Sequence, residues 1–178
     1  MTIVAPARPR SRSARTRSGF RPRYPGEYPT LGHEVLGWSH AVLPNPRDES
    51  KPLVLADWQA EAVLRFYELH PVTGERIWSR CHVESVKGLG KSPLAAAIVL
   101  AEFAGPVRFA GWKADGQPDG RPWGTGGLPA PLIQVAAVSE AQTENTWMAL
   151  YGFLEANGGR AAETLRIDAG RTLLYRRD

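Results

Sequence analysis

The sequence predicts an α/β fold in which helices flank a parallel sheet. Residues 77–83 form an apolar run suited to a buried strand, and the apolar run at 91–103 suits a buried helix. A second strand is predicted at 132–138, where the sequence is almost continuously apolar, and a second helix follows over 139–157. The order strand, helix, strand, helix needs crossover connections, which place the two strands parallel in one sheet.

Further elements are predicted before, between and after these two units. Residues 31–51 are punctuated by Gly and Pro and are expected to be an extended lead-in that wraps the domain. Residues 58–69 carry apolar side chains at helical spacing and predict a helix. Residues 104–131 are rich in Gly and Pro and predict a surface excursion. Residues 164–175 are predicted to form two short strands joined by a turn.

Positive charge is concentrated at the start of the chain. Seven arginines lie between residues 8 and 23, and no acidic residue precedes Glu27. Without these seven, the chain carries 15 basic and 18 acidic residues. We therefore expect residues 1–30 to be a disordered arm and residues 31–178 to form a partial domain. The arm is either a solvated leader or a segment that binds nucleic-acid phosphates.

Composition excludes several classes of protein. The chain has 178 residues, of which 43% are hydrophobic and 22% charged, as in a soluble globular domain. No apolar run approaches the roughly 18 residues that a membrane span needs, so no membrane partner is expected. The lone cysteine, Cys81, fits a reducing cytoplasm. The four histidines are dispersed, and we expect no zinc site.

Residues 84–92, here called the phosphate loop, join the first predicted strand to its helix. Gly88 and Gly90 precede Lys91 and Ser92. The amides of such a loop and of the following helix N-terminus can bind phosphate oxygens. Lys91 would contact the β- and γ-phosphates, and the Ser92 hydroxyl would hold Mg²⁺. The motif is a variant of G-x-x-x-x-G-K-[ST], because Ser85 stands at its first glycine. It indicates a parallel sheet of the P-loop NTPase type.

Other residues near this loop have two interpretations each. Trp58 and Gln59 are either ordinary residues of an amphipathic helix or contacts to a base, since a glutamine amide can both donate to and accept from an adenine edge. Lys87 is either a second positive charge for the γ-phosphate or a solvated lysine at the loop entrance.

Three sequence blocks resemble the ATPase domain of phage terminase large subunits, the motors that package viral DNA. They are L-A-D-W-Q at 55–59, K-G-L-G-K-S at 87–92 and V-A-A-V-S-E-A-Q-T-E-N-T-W at 135–147. They occur in the family's order, and the resemblance covers roughly residues 30–178. The missing first glycine of the loop is itself typical of this family.

The resemblance implies a function and its partners. It implies ATP and Mg as cofactors, Lys91 as a catalytic residue, and Trp58 and Gln59 as contacts to adenine. Lys87, Gly88, Gly90 and Ser92 would complete the nucleotide site. Implied partners are double-stranded DNA, the portal and the small terminase subunit, with a homo-oligomer forming when the protein is intact. The implied location is the host cell cytoplasm.

The family's hydrolytic machinery is missing from the sequence. Hydrolysis needs an Asp that holds Mg²⁺ and a Glu that positions water, at the end of a further strand. No apolar strand ending in Asp-Glu follows the phosphate loop, and no nuclease domain is present. We therefore expect a truncated or split fragment that binds nucleotide weakly, hydrolyses it poorly and is poorly soluble alone. Two alternatives stay open: an accessory protein that binds nucleotide or nucleic acid without hydrolysis, and a fragment of a helicase-like ATPase.

Overall fold

Helices carry most of the regular structure in the computed structural model. The structure describes residues 2–3, 19–124, 131–136, 139–170 and 173–177. Its helices are α1 (Gly32–Val42), α2 (Asp57–Phe66), α3 (Lys91–Ala104) and α4 (Glu140–Leu165). The helices predicted at 58–69 and 91–103 are confirmed by α2 and α3, and the one predicted at 139–157 by the first part of α4.

The strands are short and pair in twos. They are β1 (Thr2–Ile3), β2 (Pro44–Asn45), β3 (Asp48–Pro52), β4 (Cys81–His82), β5 (Arg108–Trp112), β6 (Pro118–Arg121), β7 (Ile167–Ala169) and β8 (Leu174–Arg176). The pairs are β1–β4, β2–β3, β5–β6 and β7–β8, and each is antiparallel. The last pair confirms the two strands predicted within residues 164–175.

The two segments predicted to be parallel strands do not pair with each other within the described residues. Of residues 77–83, only those of β4 lie in a strand, and their partner is β1. Residues 131–136 join no ladder within the described ranges, and residues 137–138 lie outside them. Along 131–136 the side chains alternate between half-buried and exposed, which is the pattern of a strand covered on one face. The parallel P-loop sheet therefore stays a prediction.

Helix α3 lies between two apolar clusters. Leu100 packs with Phe153 of α4 in one cluster. Leu94 packs with Val35 of α1 and Val63 of α2 in the other. Burying side chains of this size contributes about 1.5–3 kcal/mol each. Because α3 begins at the phosphate loop, this core holds the end of the loop in place.

The extended lead-in predicted for residues 31–51 is wrong. The structure forms α1 and the hairpin β2–β3 there. Gly32 starts α1 against α2, and a Cβ added at Gly32 would lie 2.6 Å from the Cα of Leu64. The helix forms because its apolar face, which includes Val35, packs against α2 and α3. Local composition, with Gly37 inside the helix, gives little sign of this packing.

Helix α4 is interrupted at residues 156–159. Asn157 has φ +53°, and the two glycines that follow it have φ +69° and +84°. The break is held from outside the helix: the Asn157 amide donates to Glu49 Oε2 at 3.1 Å, and Asn157 Nδ2 donates to the Glu49 carbonyl at 2.6 Å. Asn and Gly tolerate this left-handed backbone better than other residues, so the sequence places the bend here.

The predicted excursion at 104–131 contains the hairpin β5–β6, and residues 125–130 of it lie outside the described ranges. Phe109 and Trp123 of the described part pack against the apolar cluster that contains Val35 and Val63. The Arg108 guanidinium lies 4.1 Å from the centroid of the Trp123 ring, and Phe109 meets Trp112 edge-to-face at 4.8 Å. These contacts agree with a surface segment pinned by its tryptophans.

The predicted disordered arm falls largely on residues 4–18, which lie outside the described ranges. Residues 19–30 are described, and their last members contact α2 and the segment after it. The Thr30 hydroxyl donates to the Leu64 carbonyl at 2.6 Å, and the Pro29 carbonyl accepts from the Leu69 amide at 2.8 Å. Among the described helices, none is long and apolar enough to cross a membrane.

Candidate nucleotide-binding site

The phosphate loop turns on its two glycines. Gly88 has φ +90° and Gly90 has φ +84°. Other L-residues rarely adopt this region, because their Cβ would meet the carbonyl oxygen. Gly90 is also the N-cap of α3. The two glycines that the sequence assigned to the loop are therefore required by its backbone.

Lys91, the first residue of α3, folds back over the loop. Its ammonium donates to the Ser85 carbonyl, to the Val86 carbonyl at 3.0 Å and to Ser85 Oγ at 3.3 Å. Its side chain is exposed. The charge is thus held at the mouth of the loop by neutral oxygens, which an anionic phosphate can replace as stronger partners.

The N-terminus of α3 offers amide donors and positive potential. No side chain caps this end within the described residues, and the first turn contains no acidic residue. The amides of Lys91 and Ser92 belong to the donors that lack an intrahelical partner, and they lie at the positive end of the helix dipole. Pro93 contributes no amide, so this first turn has one donor fewer than usual.

Gln59 of α2 contacts the phosphate loop. It is 7% exposed, and its Nε2 donates to the Gly90 carbonyl at 3.1 Å. Its Oε1 accepts from the Ala56 amide at 2.9 Å. A residue selected from the sequence for base contact therefore lies against the loop itself.

A cavity of about 660 Å³ lies beside the loop and α2. Two tryptophans, Trp58 and Trp78, lie on its wall. Its other lining residues are Glu61, Arg65, Val83, Glu84, Ser85 and Leu89. The volume is within the range of small-molecule sites, and indole rings offer flat faces on which a base can stack.

Trp78 is a candidate site residue that the sequence reasoning missed. It lay in the segment interpreted as a buried strand. In the structure it is half-buried, and its Nε1 donates to Glu68 Oε2 at 2.6 Å. Burial raises the pKa of Glu68, and this hydrogen bond opposes the rise. The bond fixes the indole plane beside the cavity. A large aromatic residue shortly before the phosphate loop is the signal that could have found it.

The structure brings together most of the residues chosen from the sequence. Trp58, Gln59, Gly88, Gly90 and Lys91 lie around the loop and its cavity. Ser92 is half-buried in the first turn of α3, and Lys87 is exposed on the loop. The described residues contain no cluster of three or more metal-ligating side chains. The nucleotide-binding roles of all these residues, including the magnesium role of Ser92 and the phosphate role of Lys87, stay predictions.

Comparison with known proteins relates the chain to bacteriophage proteins. It is 39% identical over 138 residues to the Gene 13 protein of Mycobacterium phage L5 and 32% identical over 138 residues to the Gene 13 protein of Mycobacterium phage D29. Each comparison covers 66% of this chain and 22% of the relative, so the match spans about a fifth of the length of these relatives. No protein-family model matches the chain, and no solved structure does.

Proposed function

We propose that the chain is the ATP-binding part of a viral DNA-packaging motor, the ATPase of a terminase large subunit. One observation carries this proposal: the Lys91 ammonium lies over a glycine loop at a helix N-terminus that no described side chain caps, next to a cavity walled by two tryptophans. A triphosphate and its base need these two neighbouring environments. Relatives in two mycobacteriophages support a phage role.

In this proposal the phosphate loop and the cavity bind different parts of the nucleotide. The loop amides and Lys91 hold the phosphates, and Trp58 and Trp78 flank the base. Ser92 offers a single hydroxyl to Mg²⁺, so phosphate oxygens and water would supply its other ligands. A Mg²⁺ ion held by Ser92 would supply positive charge to the phosphate oxygens. The sequence has no apolar strand ending in Asp-Glu after the loop, and on that ground our proposal is nucleotide binding without efficient hydrolysis.

A packaging motor of this class would have further partners. A packaging motor acts on double-stranded DNA and assembles with the portal, the small terminase subunit and further copies of itself in the host cytoplasm. The relatives support a phage origin only, and the match covers 22% of each of them, so the acidic pair and a nuclease domain could lie in the rest of such a protein.

Replacing Trp78 by alanine tests the base cavity. We expect the dissociation constant for Mg-ATP to rise about tenfold, because stacking on an aromatic ring contributes about 1–3 kcal/mol per base. Binding of inorganic tripolyphosphate should not change, since that ligand has no base. Titration calorimetry with both ligands measures the difference. Trp112→Ala is the matched control, because Trp112 packs on Phe109 in the β5–β6 hairpin. If Trp78→Ala weakened the binding of both ligands equally, the base would not bind in this cavity.

A second candidate is an accessory protein that binds nucleic acid without hydrolysis. The seven arginines between residues 8 and 23 favour it. Deleting residues 1–25 should then abolish binding to double-stranded DNA, and the affinity of the full chain should fall steeply as salt rises. Fluorescence anisotropy at two salt concentrations measures both effects. Unchanged DNA affinity after the deletion would reject this role of the arm.

A further inference from the structure

We propose that Gln59 positions the phosphate loop and does not read the base. The inference rests on the proposed binding of phosphates at this loop. Gln59 belongs to α2, whereas Gly90 begins α3, and the hydrogen bond between them joins residues 31 positions apart. The side chain therefore connects the helix that walls the cavity to the helix that begins at the loop.

The two partners of Gln59 fix the orientation of its amide. The Ala56 amide can only donate, and it lies 2.9 Å from Oε1. The Gly90 carbonyl can only accept, and it lies 3.1 Å from Nε2. Turning the amide over would place a donor against a donor and an acceptor against an acceptor. A glutamine satisfies both partners, whereas a glutamate can satisfy only Ala56.

The bond to Gly90 acts on the Lys91 amide through one peptide plane. The Gly90 carbonyl and the Lys91 amide belong to the same planar trans peptide and point in opposite directions. Holding the carbonyl toward Gln59 therefore fixes where the Lys91 amide points. The same carbonyl also accepts from the Leu94 amide at 3.1 Å, which its two lone pairs allow.

The lack of a side chain at Gly90 makes room for this contact with Gln59. A Cβ added there would lie 3.0 Å from Gln59 Nε2, which is closer than such atoms normally approach. Gly90 thus serves the left-handed turn and the close approach of Gln59 together. Trp58 precedes Gln59 on α2, so one helical turn both walls the cavity and holds the loop.

Reading an adenine edge would break these contacts. Gln59 would have to withdraw its oxygen from the Ala56 amide and its nitrogen from the Gly90 carbonyl. It is also 7% exposed, so its amide presents little surface to the cavity. The Gly90 carbonyl would keep the Leu94 amide as a partner, but the Ala56 amide would lose its bond to Gln59, which is unfavourable. The structure therefore favours a Gln59 side-chain amide that keeps one orientation and supports the binding of any nucleotide equally.

The test is Gln59→Glu, measured by calorimetry with Mg-ATP, Mg-GTP and inorganic tripolyphosphate. We expect all three dissociation constants to rise by the same factor, about tenfold, because each ligand uses the same loop amides. Gln59→Met, which loses both hydrogen bonds, should weaken all three at least as much. Gln117→Glu makes the same chemical change at an exposed residue between β5 and β6, and it should leave all three dissociation constants unchanged.

The possible results distinguish a failure of this inference from a failure of the proposed phosphate site. A loss confined to Mg-ATP would overturn it, because Gln59 would then read the base. A lower binding stoichiometry with unchanged dissociation constants would also overturn it, since Gln59 would only support folding. If the unaltered protein binds none of the three ligands, the proposed phosphate site itself fails, and the inference fails with it.

Discussion

Replacing Lys91 by alanine is expected to abolish measurable binding of Mg-ATP. The ammonium is held over the loop by Ser85 and Val86 oxygens, where the β- and γ-phosphates would lie. An attraction between opposite charges at about 4 Å is worth roughly 1 kcal/mol in water and about 4 kcal/mol at a partly shielded protein surface. The affinity should therefore fall by about a hundredfold or more. Equilibrium dialysis with labelled ATP measures this loss.

The control for this prediction is Lys87→Ala. Lys87 is exposed, and its charge is not tied to the loop oxygens that hold Lys91. Its removal should change the affinity by about threefold or less, as for a solvent-screened charge. Both variants should unfold near the temperature of the unaltered protein, because both side chains are exposed. Unchanged Mg-ATP binding in Lys91→Ala would reject the site assignment.

Local signals in the sequence were enough to predict three helices. α2 and α3 have apolar residues at helical spacing, and their predicted limits lie close to the observed ones. α1 carried no such local sign, because it depends on the packing of Gly32 and Val35 against neighbouring helices. A tertiary contact of this kind cannot be read from a single window of sequence.

Strand pairing was harder to predict than helix formation. An apolar run indicates that a segment is extended and half or fully buried, but it does not identify the partner. Residues 77–83 show this, since β4 pairs with Thr2–Ile3, far away in the chain. Ladders join residues of high sequence separation, and no local pattern records their register.

The candidate site was also predictable only in part from the sequence. Gly88, Gly90 and Lys91 are contiguous, so a spacing motif predicted their meeting. The contact between Gln59 and Gly90 depends on how α2 lies against α3, which the sequence does not show. Trp78 lies at the cavity because its indole donates a hydrogen bond to Glu68, and no sequence motif indicates that contact.

Replacing Glu102 by leucine is expected to destabilise the fold by about 2–3 kcal/mol. Glu102 of α3 accepts from the Tyr67 hydroxyl at 2.9 Å and from Arg76 Nη2 at 2.6 Å. The Arg76 guanidinium also lies 4.5 Å from the centroid of the Tyr67 ring. The variant would leave a half-buried positive charge and a buried hydroxyl without their carboxylate. Urea denaturation followed by circular dichroism measures the loss.

Two comparison variants isolate the cause of that loss. Glu102→Gln keeps an acceptor for Tyr67 and Arg76 but removes the charge, so it should cost about 1 kcal/mol. Arg177 pairs with Glu163 at 3.1 Å and with Asp168 at 3.4 Å. Glu163→Gln removes one of these two charges in an exposed ion pair, and it should cost less than about 0.5 kcal/mol. Burial raises the pKa of Tyr67, and the nearby Glu102 carboxylate raises it further, so the hydroxyl keeps its proton and stays a donor. If Glu102→Leu were no more costly than Glu163→Gln, the three side chains would not hold α3 to the segments before the loop.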